Sequence, residues 1–304
     1  MKTPLPQKAV LVMLQITLAL LLASCKDGLP DWEITVNNAE FDINTDGELP
    51  PDVTDLVIDL AGIEFQPSDG ESFVVPLDDA QINLIKINPE IIKTLFDFLL
   101  PAGHYDWIRL IPNAESGTID SYVQQADGSQ WSIFIDPSSL GSLIFSQPFT
   151  INDSGELQGF TLNFDLQDAL QPPDGDSPDY LFTPETTLII NDEAGKLTGV
   201  VDSVLVTSDS CAIYLYEGGD ATVGERGSSS PPSRRVEILY DEETDNYYYL
   251  LELMIAGDYT LAYTCQANID TTSAIEDINI SNGTHVSVSD NHTTILNFFL
   301  GTSS

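Results

Sequence analysis

The 304-residue sequence predicts a mainly β protein: two consecutive antiparallel β-sandwich domains, the first with one inserted α-helix at about 89–100. Three observations predict it. Short runs rich in Val, Ile, Leu, Phe and Tyr alternate with polar residues, and Gly, Pro, Asp and Ser clusters separate them at fairly regular intervals, as in all-β sandwiches. One phrase occurs twice: "PAGHYDWIRL" at 101–110 and "IAGDYTLAYT" at 255–264 both place Ala-Gly, a polar residue and Tyr before a β-prone run. A hydrophobic content of 42% supplies enough apolar surface for two cores rather than one.

The N-terminus reads "MKTPLPQKAVLVMLQITLALLLASC". Lys2 and Lys8 form a basic start, Ala9 to Leu22 an apolar stretch, and Leu22-Ala23-Ser24-Cys25 a small-residue close. That stretch is short of the roughly 20 residues a membrane span needs, so residues 1–24 read as a removable lipoprotein signal. Cys25 is then the lipidated first residue, anchored in a membrane by its acyl chains. Lys26 rather than Asp in the second position favours the outer membrane. Residues 25–32 are a tether.

The first sandwich is expected over 33–198. Alternation starts at "WEITV" and returns in "VTDLVIDLAGIEF" and "SFVVPL". In "NPEIIKTLFDFLL", Asn88 suits an N-cap and Pro89 the first helical position. Ile91, Ile92, Leu95, Phe96 and Leu99 then recur at helical spacing, and Pro101-Ala102-Gly103 ends the helix. Strand-like runs follow from "HYDWIRLIPN" to "YLFTPETTLIIND". The second sandwich, 199–304, holds "CAIYLYEG", "VEILYD", "NYYYLLELM", "DYTLAYTCQ" and "TILNFFLG". Between the first two of these, the Ser/Pro stretch 228–233 has no periodicity and reads as an exposed loop.

With Cys25 lipidated, Cys211 and Cys265 remain. They carry no zinc or redox spacing, and a translocated chain meets an oxidising compartment, so a disulfide is expected. Alternation puts Cys211 with Ile213 and Leu215, and Cys265 with Tyr259, Leu261 and Tyr263, so both cysteines ride on apolar strand faces. Gly103 and Gly257 can supply a positive φ at the two turns. Tyr105 and Tyr259 can bury their rings and return their hydroxyls to nearby backbone, as in a tyrosine corner.

Ten Lys and Arg face 48 Asp and Glu, a formal charge of −38. Such a surface repels nucleic acid and anionic phosphates. It could draw calcium. "DINTDGE" sets Asp42, Asn44 and Asp46 at alternate positions beside Gly47, like the first half of an EF-hand loop, but Val53 stands where that loop needs its bidentate carboxylate. "PPDGDSPD" adds Asp174, Asp176 and Asp179 on a Pro-rich loop. Beyond structural Ca²⁺ on these six residues, no cofactor is expected.

His104, His285 and His292 form no zinc pattern, and no Gly-x-Ser-x-Gly elbow, phosphate loop or dinucleotide fingerprint is present. Trp107 and Trp131 read as core residues. In the Tyr247-Tyr248-Tyr249 run, alternation sends Tyr247 and Tyr249 to one face and Tyr248 to the other.

The blocks "LPAGHYDWIRLIP", "FTLNFDLQDAL" and "YLFTPETTLIINDEAGKLTGVV" resemble a bacterial lipoprotein domain family known only as domain of unknown function four-three-eight-two, over about 33–200. Its turn maps onto Leu100, Pro101, Ala102, Gly103 and Tyr105, and its Phe-Asp-Leu strand onto Phe164, Asp165 and Leu166. "VNNAEFD" departs from the Thr-Asp-Ala-Pro opening frequent in the family. "MIAGDYTLAYT" resembles the transthyretin-like, carboxypeptidase-regulatory sandwich, with Gly257 and Tyr259 in its signature. Both resemblances imply noncatalytic β-sandwiches on surface or secreted proteins, and the resemblance of residues 1–25 to a bacterial lipoprotein signal implies a Gram-negative envelope.

The expectation is a surface-anchored, noncatalytic lipoprotein that binds a glycan or protein ligand, in adhesion or polymer capture. The alternative is an envelope hydrolase using an Asp/Glu pair. With 48 acids, finding two at catalytic separation would discriminate nothing.

Overall fold

The structure is a computed structural model. It describes residues 36–299 apart from 47–48, 51, 88–95, 136–142, 167–168, 174–177 and 272–277. The signal segment and Cys25 therefore lie outside the described residues. The chain divides into two compact units, Met1–Ile190 and Asn191–Ser304. Both are built of strands, and among the described residues Phe96 alone is helical.

The first unit runs β1 (Val36–Asp46), β2 (Val53–Pro67), β3 (Phe73–Asn83), β4 (Asp97–Pro101), β5 (Gly103–Pro112), β6 (Tyr122–Gln125) and β7 (Gln130–Phe134). It continues with β8 (Ile144–Phe145), β9 (Phe149–Ile151), β10 (Gln158–Asp165), β11 (Leu170–Gln171), β12 (Tyr180–Phe182) and β13 (Glu185–Ile190). One sheet has the order β13-β10-β1-β4. The other runs β11-β12-β7-β6-β2-β5-β8, with β3 on β2 and β9 on β5. β1 and β10 run parallel, from Ala39↔Gln158 to Asp46↔Asp165.

The sheets are joined sandwich-fashion by rings. Phe41 of β1 stacks on Phe160 at 5.0 Å and meets Phe65 of the other sheet at 5.9 Å. Phe98 meets Phe65 at 5.8 Å, and Phe145 meets Phe164 edge-on at 5.4 Å. Rings this close, in tilted or edge geometries, add attraction beyond the area they bury.

The helix expected at 89–100 is corrected at its C-terminal end; residues 89–95 lie outside the described residues. Asp97–Leu100 belong to β4, which pairs antiparallel with β1 through Ala39↔Phe98 and Asn37↔Leu100. Phe96, Leu95 and Leu99 fit a helical stripe, but Phe96, Phe98 and Leu100 also fit a two-residue period, and those three are buried. Pairing with β1 satisfies the backbone and delivers Phe98 to the ring cluster, so the shorter period prevails.

The second unit contains β14 (Gly195–Val201), β15 (Ala212–Glu217), β16 (Arg234–Glu237), β17 (Leu239–Asp241), β18 (Asn246–Met254), β19 (Gly257–Thr264), β20 (Thr284–Val288) and β21 (Thr293–Ile295). Two four-stranded sheets, β17-β18-β14-β21 and β16-β15-β19-β20, enclose Leu197, Ile213, Leu215, Tyr249, Leu251 and Leu261. β14 pairs only with second-unit strands, whereas the boundary expected at 198/199 runs through it. Gly199 has no room for a side chain: a Cβ there would stand 1.8 Å from the Leu296 carbonyl oxygen. Tyr249 is fully buried, and its hydroxyl donates to that same carbonyl at 2.7 Å. Tyr248 is half-buried on the opposite face.

β15 is unusual in being buried on both faces. Ile213 and Leu215 face the sandwich core, while Tyr214 and Tyr216 join Ala212, Ala262 and Ala267 in a second apolar cluster behind the sheet. A long connection must cover that rear face, and it forms the site below.

Candidate functional site

Tyr105 and Tyr259 make the same bond. The Tyr105 hydroxyl donates to the Pro101 carbonyl at 2.9 Å and the Tyr259 hydroxyl to the Ile255 carbonyl at 2.8 Å, each four residues back. Both rings are buried, and burial pushes both phenols up, that of Tyr259 to about 12. The glycines differ. Gly103 has φ +153°, but Gly257 does not take a positive φ, which corrects the expectation for the second turn. A Cβ at Gly257 would meet the Tyr259 ring no closer than 3.7 Å, an ordinary contact. His104 is exposed, with Nδ1 2.8 Å from Thr150 Oγ1.

Cys211 and Cys265 form a disulfide. Ala212 pairs with Thr264, so the cysteines stand opposite one another at the ends of two adjacent strands of one sheet.

"DINTDGE" through Asp46 is strand β1, not a curled loop. Asp42 stands beside Thr161 and Asn44 beside Asn163, whose Oδ1 accepts from Asn44 Nδ2 at 2.6 Å. Asp174 and Asp176 lie outside the described residues. Asp179 is turned inward, 2% exposed. Burial alone would raise its pKa, but hydrogen bonds from the Ser116 and Ser132 hydroxyls and the Gly117 N–H prevail and hold it below the ordinary carboxylate range. Asp179 thus fastens the loop after β5 and strand β7 to the start of β12. Among the described residues no three His, Cys, Asp or Glu side chains are placed to hold a metal. Trp131, expected in the core, is 39% exposed, although Ile133 two positions on and Val123 opposite it share its face and are fully buried.

A concave feature of the second unit lies behind β15 and β19. These antiparallel neighbours need only a short hairpin to reach a third strand, since two to five residues suffice. Yet residues 218–233 separate β15 from β16. This connection is folded down rather than fully exposed, which corrects the reading of 228–233: Pro232 is buried and Ser228, Ser230 and Ser233 are half-buried. The Tyr216 hydroxyl donates to the Gly224 carbonyl at 2.6 Å. Thr260 Oγ1 donates to the Gly218 carbonyl at 2.7 Å and accepts from the Ala221 N–H at 3.1 Å.

Deeper in, the Asp270 carboxylate accepts from the Tyr214 hydroxyl at 2.5 Å and from the Arg226 N–H at 3.0 Å. Arg226 Nη1 donates to the Asp270 carbonyl at 3.2 Å. Burial raises the Tyr214 phenol far above its usual range, reinforced by Asp270. Charges taken out of water are stabilising only when fully bonded; this network is bonded at every step shown and holds the loop in one shape. Between the loop and the segment 278–285 runs a groove of about 680 Å³, walled by Asp220, Val223 and Glu225 on one side and Ile280, Asn282 and His285 on the other, with Thr260 in its floor. Ligand sites commonly have this volume.

Beside the groove, Asp258, His285 and Ser287 lie together but cannot work as a nucleophile, base and orienting acid. A triad needs the serine hydroxyl on one imidazole nitrogen and the carboxylate on the other. Here Ser287 donates to Asp258 Oδ1 at 2.5 Å, and the same oxygen lies 3.2 Å from His285 Nε2. That nitrogen is also the one 3.5 Å from Ser287 Oγ. Both partners crowd one nitrogen, and the hydroxyl proton points to the carboxylate. Hydrogen bonds from Ser287, then His285, lower the Asp258 pKa. The arrangement stores a surface hydrogen-bond cluster, not an activated alcohol.

The sequence missed Asp220, Glu225, Asn282 and His285 as a group. The signal was available in the length of the β15–β16 connection.

A family model described as "Domain of unknown function (DUF4382)" matches residues 41–184, all within the first unit. The stretch that resembled this family in sequence was 33–200. No curated protein sequence matches the chain. Among solved structures, the Bacillus anthracis TIE protein overlays 86% of this chain at 12% identity and a TM-score of 0.19. The chain spans about a third, 34%, of that protein's length. GBS52, the minor pilin of Streptococcus agalactiae, overlays 86% of this chain and 94% of its own at 12% identity and a TM-score of 0.20. BcpA, the major pilin subunit of Bacillus cereus, covers 88% of this chain and 69% of its own at 10% identity, also with a TM-score of 0.20. None of these overlays reaches the level of a shared fold.

Proposed function

We propose that this chain is a lipid-anchored, noncatalytic binding module of the bacterial envelope, held at Cys25 to the outer membrane and presenting its sandwich-like units to a partner. The observation that carries the binding role is the β15–β16 connection. Sixteen residues stand where a hairpin would do, and a buried Tyr214–Asp270–Arg226 network fixes them along a groove. Loops of that length in compact domains are characteristically functional, and fixing a site in advance lowers the ordering cost of binding. At Asp258, His285 and Ser287 the geometry leaves the hydroxyl unactivated, which speaks against a serine nucleophile there. Envelope placement is supported by the 1–25 sequence and by a disulfide suited to an oxidising compartment.

Two measurements test the reading. Mass analysis of the purified native protein is expected to find Cys25 first and acylated; a retained leader overturns the placement. A screen against ester, glycoside and peptide substrates is expected to show no turnover. Metal-independent turnover abolished by one Asp or Glu substitution would establish a carboxylate-pair hydrolase instead.

A further inference from the structure

We infer that Asn282 is a self-modification site, converted to aspartate or isoaspartate by attack of the Gly283 backbone nitrogen on its side-chain amide. Asn282-Gly283 is the one Asn-Gly pair in the sequence. The reaction needs no enzyme and no co-reactant but water. The deprotonated Gly283 nitrogen bonds to Asn282 Cγ, the Cγ–Nδ2 bond breaks, and ammonia leaves. Water then opens one of the two carbonyl–nitrogen bonds of the resulting succinimide, giving aspartate by one route and isoaspartate by the other.

The surroundings single this asparagine out. Residues 282–285 are exposed. Ser281 Oγ donates to the Asn282 backbone carbonyl at 3.3 Å, and no bond among the described residues holds the side-chain amide. Elsewhere Asn83 donates to Asp55, Asn113 to Asp59 and Asn246 to the Thr244 carbonyl. Leu, Ala and Tyr follow those three, each with a Cβ that hinders ring closure and that glycine lacks. The fold itself demands the glycine. A Cβ at Gly283 would stand 2.5 Å from Thr260 Cγ2 and 2.9 Å from Val223 Cγ2. Thr260 cannot turn aside, because its hydroxyl donates to the Gly218 carbonyl and accepts from the Ala221 N–H. Close packing thus keeps a labile pair on the surface.

Ring closure requires Asn282 to swing onto Gly283, so it proceeds during local openings of segment 278–285. Isoaspartate lengthens the main chain by one carbon just before the tight contact at Gly283. It also precedes β20, whose Thr284 pairs with Leu261 of β19. The longer chain cannot keep Gly283 against Thr260 and Val223 while holding β20 in register. The groove wall therefore ages: β20 loosens from β19, and one negative charge is added.

The test incubates the purified full chain at mildly alkaline pH and follows it by ion exchange and by peptide mapping with isoaspartate detection. Conversion at Asn282 is expected at least tenfold faster than at any other asparagine. It should rise with pH, because the attacking nitrogen must lose its proton. Asn282→Gln, an exposed and uncharged change whose ring closure is slower, should delay the first acidic species at least tenfold. The converted fraction, separated by charge, should exchange β20 amides at least threefold faster than fresh chain, with β5 unchanged. Another asparagine converting first would overturn the assignment. So would an intact Asn282 in the folded chain over a time in which chain unfolded in denaturant has converted. Equal β20 exchange in converted and fresh chain would overturn the loosening of the wall.

Discussion

The corner at Pro101–Tyr105 in the first unit and the corner at Ile255–Tyr259 in the second make one hydrogen bond with two different supports. Tyr105 stacks on Phe149 at 5.0 Å and meets Phe65 edge-on at 6.3 Å, inside a cluster of phenylalanine rings. Its glycine, Gly103, is needed for its φ of +153°. Tyr259 stands opposite Glu217 in the β15–β19 register, its glycine has no such constraint, and its sheet is closed by the Cys211–Cys265 bond. The larger unit is fastened by buried rings, the smaller by a covalent cross-link. A smaller domain buries a smaller fraction of its surface, so a cross-link adds proportionally more there.

Breaking the cross-link gives the largest expected effect. The paired change Cys211→Ala and Cys265→Ala frees a loop with a sequence separation of 54, which costs about 4 kcal/mol on the chain-entropy account. Hydrogen exchange should show lost protection in β15 and β19 and unchanged protection in β5. Equal losses in both units would end the contrast.

Next comes Asp179→Asn. Its folded pKa lies below the ordinary 3.8, so its stabilisation is complete above that value and is lost as pH falls through the folded pKa. The variant should lose about 2 kcal/mol near neutral pH, the scale of hydrogen bonds to a buried charge. That deficit should shrink as the wild type is acidified, measured by denaturant titration across pH. Asp258 in the second unit is also lowered but exposed, and Asp258→Asn should leave the acid profile unmoved.

Gly103→Ala should cost about 1–2 kcal/mol because an L side chain strains that φ, whereas Gly257→Ala should change little. Smallest, and equal at the two corners, should be Tyr105→Phe and Tyr259→Phe, about 1 kcal/mol each for one lost hydrogen bond. Unequal losses would show that the rings or Glu217 alter the bond's worth.

Much of the strand grammar is visible in the residues themselves. Two-residue alternation placed Ile213, Leu215 and Leu261 toward a core, separated Tyr249 from Tyr248, and aligned Cys211 with Cys265. Alternation fails where two periods fit one stretch, as at Phe96, Phe98 and Leu100. There a distant partner, β1, decides, and nothing local announces it. It fails again for "CAIYLYE", where Tyr214 and Tyr216 on the nominal outer face are as buried as their neighbours. Their cover is a loop whose polar composition suggested solvent, and whose attachment depends on Asp270, some 44 positions from Arg226. The alternate spacing of Asp42, Asn44 and Asp46 serves a strand as well as half a loop, and this stretch forms strand β1. Sequence spacing fixes which residues alternate, not whether the backbone curls.

The parallel ladder of β1 on β10 has a temporal cost. Asn44 and Asn163 touch across 119 positions of chain, and the stretch Phe41–Asp46 has β10 as its ladder partner. At ribosomal speeds of roughly 5–20 residues per second, that partner emerges on the order of ten seconds later. Throughout the wait the Phe41–Asp46 half of β1 lacks its ladder partner, while the Val36–Glu40 half can already pair with β4.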